Sequence, residues 1–200
     1  MLNNAVKAAL LAAAALSATA CATKDTYMGL EKEKAYDAEL NVKRLTEVNN
    51  NDDYFELRKE NTIFVFTDAK SYKIWLSTNE IPLLVTKFRV GPNGEKAKYQ
   101  LTKNETKAME TKVGFKGSSQ KMYEGELQAI EKGFFGFVYN ETGNSYFVFD
   151  NWNALKTFKA SGTASGYTST AVNGAKVVYV GATSEPAAAA KTFTALHDGK

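Results

Sequence analysis

The strongest constraint on this chain is an internal echo. Thr62-Ile63-Phe64-Val65-Phe66-Thr67-Asp68, followed by residues 69–76, has a counterpart in Ser145-Tyr146-Phe147-Val148-Phe149-Asp150, followed by residues 151–158. Each reads as an apolar strand running into an amphipathic helix, with Asp68 and Asp150 placed to cap the first free amides. After each helix the pattern repeats again. Residues 83–90 and 95–101 predict two strands around Gly91-Pro92-Asn93-Gly94, and 166–172 and 175–180 predict two around Asn173-Gly174. A helix should trail each hairpin, at 103–113 behind Thr102 and at 185–196 behind Ser184.

Upstream, residues 54–58 and 134–139 supply one further strand apiece, preceded by helices expected at 30–48 and 119–132. Asn49-Asn50-Asn51-Asp52-Asp53 stops the first of these, because such side chains compete for backbone hydrogen bonds. The unit is therefore α-β-β-α-β-β, present twice with a period of about 80 residues, too long for a solenoid repeat. The expectation is an α+β fold of two pseudo-symmetric halves, 30–113 and 114–200, with antiparallel sheets carrying helices on one face.

The N-terminus carries a different kind of signal. One cation, Lys7, precedes an uncharged apolar run from Ala8 to Ala20. A helix of that length reaches only about 20 Å, short of the roughly 30 Å hydrocarbon core, so residues 1–20 read as an export signal. The run ends in Leu16-Ser17-Ala18-Thr19-Ala20-Cys21, which resembles the lipobox of bacterial lipoproteins, with Ala18 where Leu is commoner. The resemblance covers residues 1–21. It implies cleavage before Cys21, acylation of that cysteine, and a tether over residues 21–29. Two or three acyl chains would anchor the chain stably where one would be marginal. Ala22 stands where such lipoproteins often carry an inner-membrane retention Asp, so the resemblance implies the periplasmic face of the outer membrane.

Cys21 is the chain's single cysteine, which leaves no partner for an intramolecular disulfide or for redox exchange. Apolar burial must hold the domain, and twelve Phe, ten Tyr and two Trp supply it. A formal net charge of +3 predicts no broad affinity for nucleic acid. No cofactor or metal site is expected. The one histidine, His197, reads as an exposed tail residue, and Met28, Met109 and Met122 are scattered, whereas soft metals need clustered ligands. The strand, Asp-led helix and Asn-Gly hairpin look like the ββαβ modules of periplasmic copper-delivery lipoproteins. The Cys and Met ligands of those modules are missing, so the likeness implies fold alone.

Catalytic motifs fare no better. A Ser-His-Asp triad would have to use His197, and no Gly-x-Ser-x-Gly elbow is present. Ser118-Ser119-Gln120-Lys121 has serine-lysine spacing but reads as a helix start, and Asp52, Asp53 and Glu56 read as charged loop tips. Gly114-Phe115-Lys116-Gly117 and residues 162–166 lack the flanks of a phosphate cradle. The aromatic ladder of Phe64, Phe66, Phe147 and Phe149 should form one apolar sheet face. A groove between the halves, lined by Phe66, Trp75, Phe149 and Trp152, is the candidate ligand site. The reading is a membrane-anchored, non-enzymatic module that binds a small ligand or an envelope protein. The alternatives are an envelope hydrolase with an unrecognised carboxylate or serine site, and a metal-delivery-like lipoprotein.

Overall fold

A computed structural model describes residues 49–130, 132–171 and 173–198. The leader, Cys21, the tether and the helix expected at 30–48 lie outside them. The described elements run β1 (Asp53–Lys59), β2 (Thr62–Phe66), α1 (Ala69–Thr78), β3 (Leu84–Lys87), β4 (Lys96–Gln100), α2 (Lys103–Thr111) and α3 (Ser118–Glu124). They continue as β5 (Phe135–Asn140), β6 (Ser145–Phe149), α4 (Trp152–Ser161), β7 (Gly166–Thr170), β8 (Lys176–Val180) and α5 (Ala187–His197).

The fold is α+β, with all eight strands in one sheet ordered β3-β4-β2-β1-β5-β6-β8-β7. The four sequence-adjacent hairpins are antiparallel, as expected. The pairings β2–β4, β6–β8 and β1–β5 are parallel, so the sheet is mixed rather than antiparallel. The cause is the crossover helix. After β2 the chain climbs through α1 and returns as a hairpin whose second strand enters beside β2 in the same direction; α4 does the same after β6.

Helices also cover both faces, not one. Tyr72 and Trp75 of α1 and Phe193 and Leu196 of α5 pack with Phe55, Phe66, Phe137 and Tyr146. Met122 of α3 and Trp152, Leu155 and Phe158 of α4 pack with Tyr54, Ile63, Val65, Val138 and Phe149. The strands explain this: β1, β2 and β6 bury successive residues and not only alternate ones, the pattern of a sheet buried on two sides. The aromatic ladder therefore splits, with Phe64 and Phe66 under α1 and Phe147 and Phe149 under α4. Each fully buried ring contributes about 2 kcal/mol, so these two layers stabilise the domain without a disulfide.

Local signals explain the element ends. Asp68 accepts from the amides of Lys70 and Ser71 and caps α1. The α4 cap is Asn151, one residue beyond the expected Asp150, and it accepts from Asn153 and Ala154. Thr102 and Glu105 form a reciprocal capping box on α2. The expected helix at 119–132 stops at Glu124, where Gly125 takes a left-handed conformation with φ of 79°. In α5 the expected Ser184 cap is replaced by Pro186, with no side-chain cap bond. The two Asn-Gly turns form as predicted, Gly94 and Gly174 holding φ of 82° and 77°.

Candidate functional site

The four aromatic residues expected to line a groove do not meet in one. Phe66 and Trp75 lie with ring centres 5.8 Å apart in the core beneath α1. Phe149 and Trp152 are buried on the opposite face. No groove separates the halves along their shared strands, because β1 and β5 pair directly from Asp53–Phe135 to Arg58–Asn140. The serine-lysine candidate is architectural: the Ser119 hydroxyl donates to the Gln100 carbonyl at 2.6 Å, and the Ser118 hydroxyl accepts from the Asn50 amide at 2.8 Å. Of the three carboxylates read as loop tips, Asp53 and Glu56 belong to β1, and Glu56 is fully buried.

An open site forms instead between α5 and the β6-β8-β7 end of the sheet. Strand parity puts Tyr146 of β6 and Val177 and Tyr179 of β8 on the face that α5 covers. One helical turn separates Phe193 from His197, so both rings present to the same space, with Leu76 of α1 closing it. The resulting cleft holds about 330 Å³. Its rim carries Ser169, Thr170 and Asn173 from the β7–β8 hairpin, and the carboxylates of Glu185 and Asp198.

His197 is not an exposed tail residue, as expected from its position, but a half-buried member of this wall. Its ring packs 4.3 Å from that of Phe193 and 5.1 Å from that of Tyr146. Nδ1 lies 2.8 Å from the Phe193 carbonyl, which only accepts, so Nδ1 carries the proton. In the neutral ring Nε2 then accepts from the Tyr72 hydroxyl, also at 2.8 Å. Tyr146 and Asn173 line the same cleft beside this pair. Burial, and then the neighbouring Tyr146, holds the Tyr72 hydroxyl well above its ordinary range, and burial pushes Tyr146 up to about 12. Both phenols stay protonated at neutral pH and fix the aromatic wall in place.

A second polar cluster lies on the opposite face and is closed. Lys159 Nζ sits 2.8 Å from the Tyr54 hydroxyl, 3.0 Å from the Tyr123 carbonyl and 3.3 Å from Glu56 Oε2. It also lies 4.0 Å from the centre of the Tyr123 ring. Glu56 accepts from the Tyr54 hydroxyl at 2.5 Å and from Arg58 Nε at 2.7 Å. Burial alone would raise the Glu56 carboxyl, but the Lys159 ammonium and the Arg58 guanidinium outweigh it and hold it below the ordinary range. The polar atoms of this cluster are used up internally, so it braces β1 against α4 and α3 and offers a ligand nothing.

The helix expected at 185–196 stops one residue short of His197 and left it in the tail, whereas the observed helix runs through His197 and sets it one turn beyond Phe193. The signal was present: Phe193 and His197 are four residues apart on one face. Among the described residues no group of three or more His, Cys, Asp or Glu side chains could hold a metal ion, and no helix is long and apolar enough to cross a membrane. No family model, curated protein or solved structure matches this chain.

Proposed function

We propose that this chain is a lipid-anchored envelope module, tethered through Cys21 to the periplasmic face of the outer membrane, which binds a small ligand in the α5 cleft and performs no chemistry on it. The lipobox-like run ending at Cys21 supports the address. The observation that carries the binding function is the cleft of about 330 Å³, apolar and aromatic on its walls with a few fixed polar groups, the usual make-up of a small-molecule site.

The same reading holds the domain to be two pseudo-symmetric halves. Strand order read outward from the β1–β5 pair is the same on both sides. Phe55 opposes Phe66 as Gly136 opposes Phe149, and Val65 pairs with Tyr99 as Val148 pairs with Tyr179. Helices α1 and α4 are each ten residues long, capped by two side-chain bonds and ended by a left-handed residue. A twofold axis running along the strands between β1 and β5 accounts for the exchange of faces between Phe66 and Phe149. Under that relation Glu56 and Lys159 correspond to Phe137 and Leu76. Duplication followed by divergence would thus have left one face braced by charge and the other lined by aromatic residues.

Two experiments test this. Cells fed labelled palmitate should show label on the wild-type chain and none on Cys21→Ser, which should leave the membrane fraction or remain uncleaved. Unchanged retention and mobility of that variant would count against the anchor. For the cleft, amide resonances of the full chain in detergent should shift at β6, β8 and α5 when uncharged aromatic fragments are added. Shifts confined to other elements would overturn the site.

A further inference from the structure

Resting on the reading of the α5 cleft as a binding site, we infer that its ligand is a small organic ammonium ion carrying an apolar ring or chain. The inference comes from the sign and placement of charge. Among the described residues that line the cleft, the acidic side chains are Glu185 and Asp198, and Lys and Arg are absent from the lining. An anionic ligand would meet two like charges and no counter-ion there. A cation meets both carboxylates at the mouth and the aromatic side chains of Tyr146, Tyr179 and Phe193 in the lining.

Aromatic faces carry a negative quadrupole and attract a cation that has shed water, and tyrosine serves this better than phenylalanine. Two of the interior donors are already committed. The Tyr72 hydroxyl bonds to His197, and His197 Nδ1 to the Phe193 carbonyl. The walls therefore offer apolar and aromatic side chains below two carboxylates, which suits an ammonium with an apolar body better than an anion. The carboxylates stand on the exposed rim, where they select for charge while the apolar body enters. The contrast with the opposite face supports this use of the same chemistry. There Lys159 lies over the Tyr123 ring and beside a carboxylate, an internal ammonium held by an aromatic face and an acid.

Calorimetric titration of the full chain in detergent with 2-phenylethylammonium, 2-phenylethanol and 3-phenylpropionate separates charge from shape. The ammonium should bind about ten-fold more tightly than the alcohol, with the carboxylate weakest. That preference should shrink to about three-fold in Glu185→Gln and in Asp198→Asn, and should fall in wild type as salt is raised. Should either variant fail to fold, the salt series on wild type still decides. Equal binding of all three, or tighter binding of the carboxylate, would overturn the ammonium assignment and leave the cleft reading intact. Absence of binding by all three, with no resonance shift at Tyr146, Tyr179 or Phe193, would overturn both.

Discussion

Lys159 of α4 and Glu56 of β1 meet at 3.3 Å on a face of the sheet where the Glu56 side chain has no exposure and that of Lys159 only 18 %. The pair bridges the two ends of the described domain, and its members are unequal. Glu56 also receives Arg58 and Tyr54, whereas Lys159 faces one carboxylate and two neutral oxygens. Glu56→Gln leaves two cations without a counter-charge and should cost roughly 3–5 kcal/mol, while Lys159→Met, which leaves Glu56 its Arg58 partner, should cost about 2. Urea unfolding of the singles and of the double variant should give a double cost below the sum. Strict additivity would mean that the two side chains do not act together.

Asp53 behaves in the opposite sense. Burial, then the charges of Asp52 and Asp68, push its carboxyl up to about 6 from the ordinary 3.8. The folded state therefore holds a proton that the unfolded chain has released between these values, so this residue makes the domain more stable as pH falls from about 6 towards 3.8. Above that window its charge is a cost. Asp53→Asn should raise stability at pH 7 by about 1 kcal/mol, a figure reduced for its partial exposure, and should flatten the slope between pH 6 and 4. Glu56 supplies the acid limb: its depressed carboxyl contributes stability present above its ordinary 4.5 and lost as pH falls through the folded value. A stability profile of Asp53→Asn unchanged from wild type across that range would refute the assignment.

Much of the secondary structure was legible in the chain because it depends on local chemistry. The Asn-Gly turns, the Thr102–Glu105 box and the Asp68 cap each act within a few residues. What was not legible is long-range. Whether Phe66 and Phe149 share a face depends on how two strands far apart in sequence come to lie in one sheet, and no local pattern reports the β1–β5 pairing. The runs at β1 and β2 did carry a hint, since consecutive buried residues such as Tyr54 to Leu57 suit a sheet covered on both sides. The site was hidden for the same reason: His197 gains meaning only when Tyr72, more than a hundred positions earlier, is brought beside it.

Gly166 opens the edge strand β7, and its lack of a side chain is required there. A Cβ at that position would overlap the carbonyl oxygen of Tyr179 on the paired strand. Gly166→Ala must therefore push β7 away from β8, at a cost of about 1–3 kcal/mol. Amide exchange in residues 166–170 should quicken more than in β6. Gly143→Ala is the control, because its nearest contact would be the Ser145 hydroxyl at an ordinary 3.5 Å. Equal melting temperatures for the two variants would show that the edge strand yields freely.

Tyr72 decides whether the cleft wall is rigid. Its hydroxyl bonds to His197, so Tyr72→Phe removes the donor to Nε2 while keeping the ring that packs on Phe55 and Trp75. Because apolar packing is retained, the loss should be close to that of one hydrogen bond, about 1 kcal/mol. The more specific consequence concerns the imidazole. In the wild type its proton is held at Nδ1 by the Phe193 carbonyl while Nε2 accepts. Without the Tyr72 hydroxyl, Nε2 loses its reason to stay unprotonated, and the alternative tautomer should gain population. Nitrogen-15 shifts of His197 at neutral pH measure this directly, with an Nδ1–H pattern in wild type and a move towards Nε2–H in Tyr72→Phe. A wild-type ring found mainly as Nε2–H would mean that His197 donates to Tyr72 and that the Phe193 carbonyl does not hold its proton.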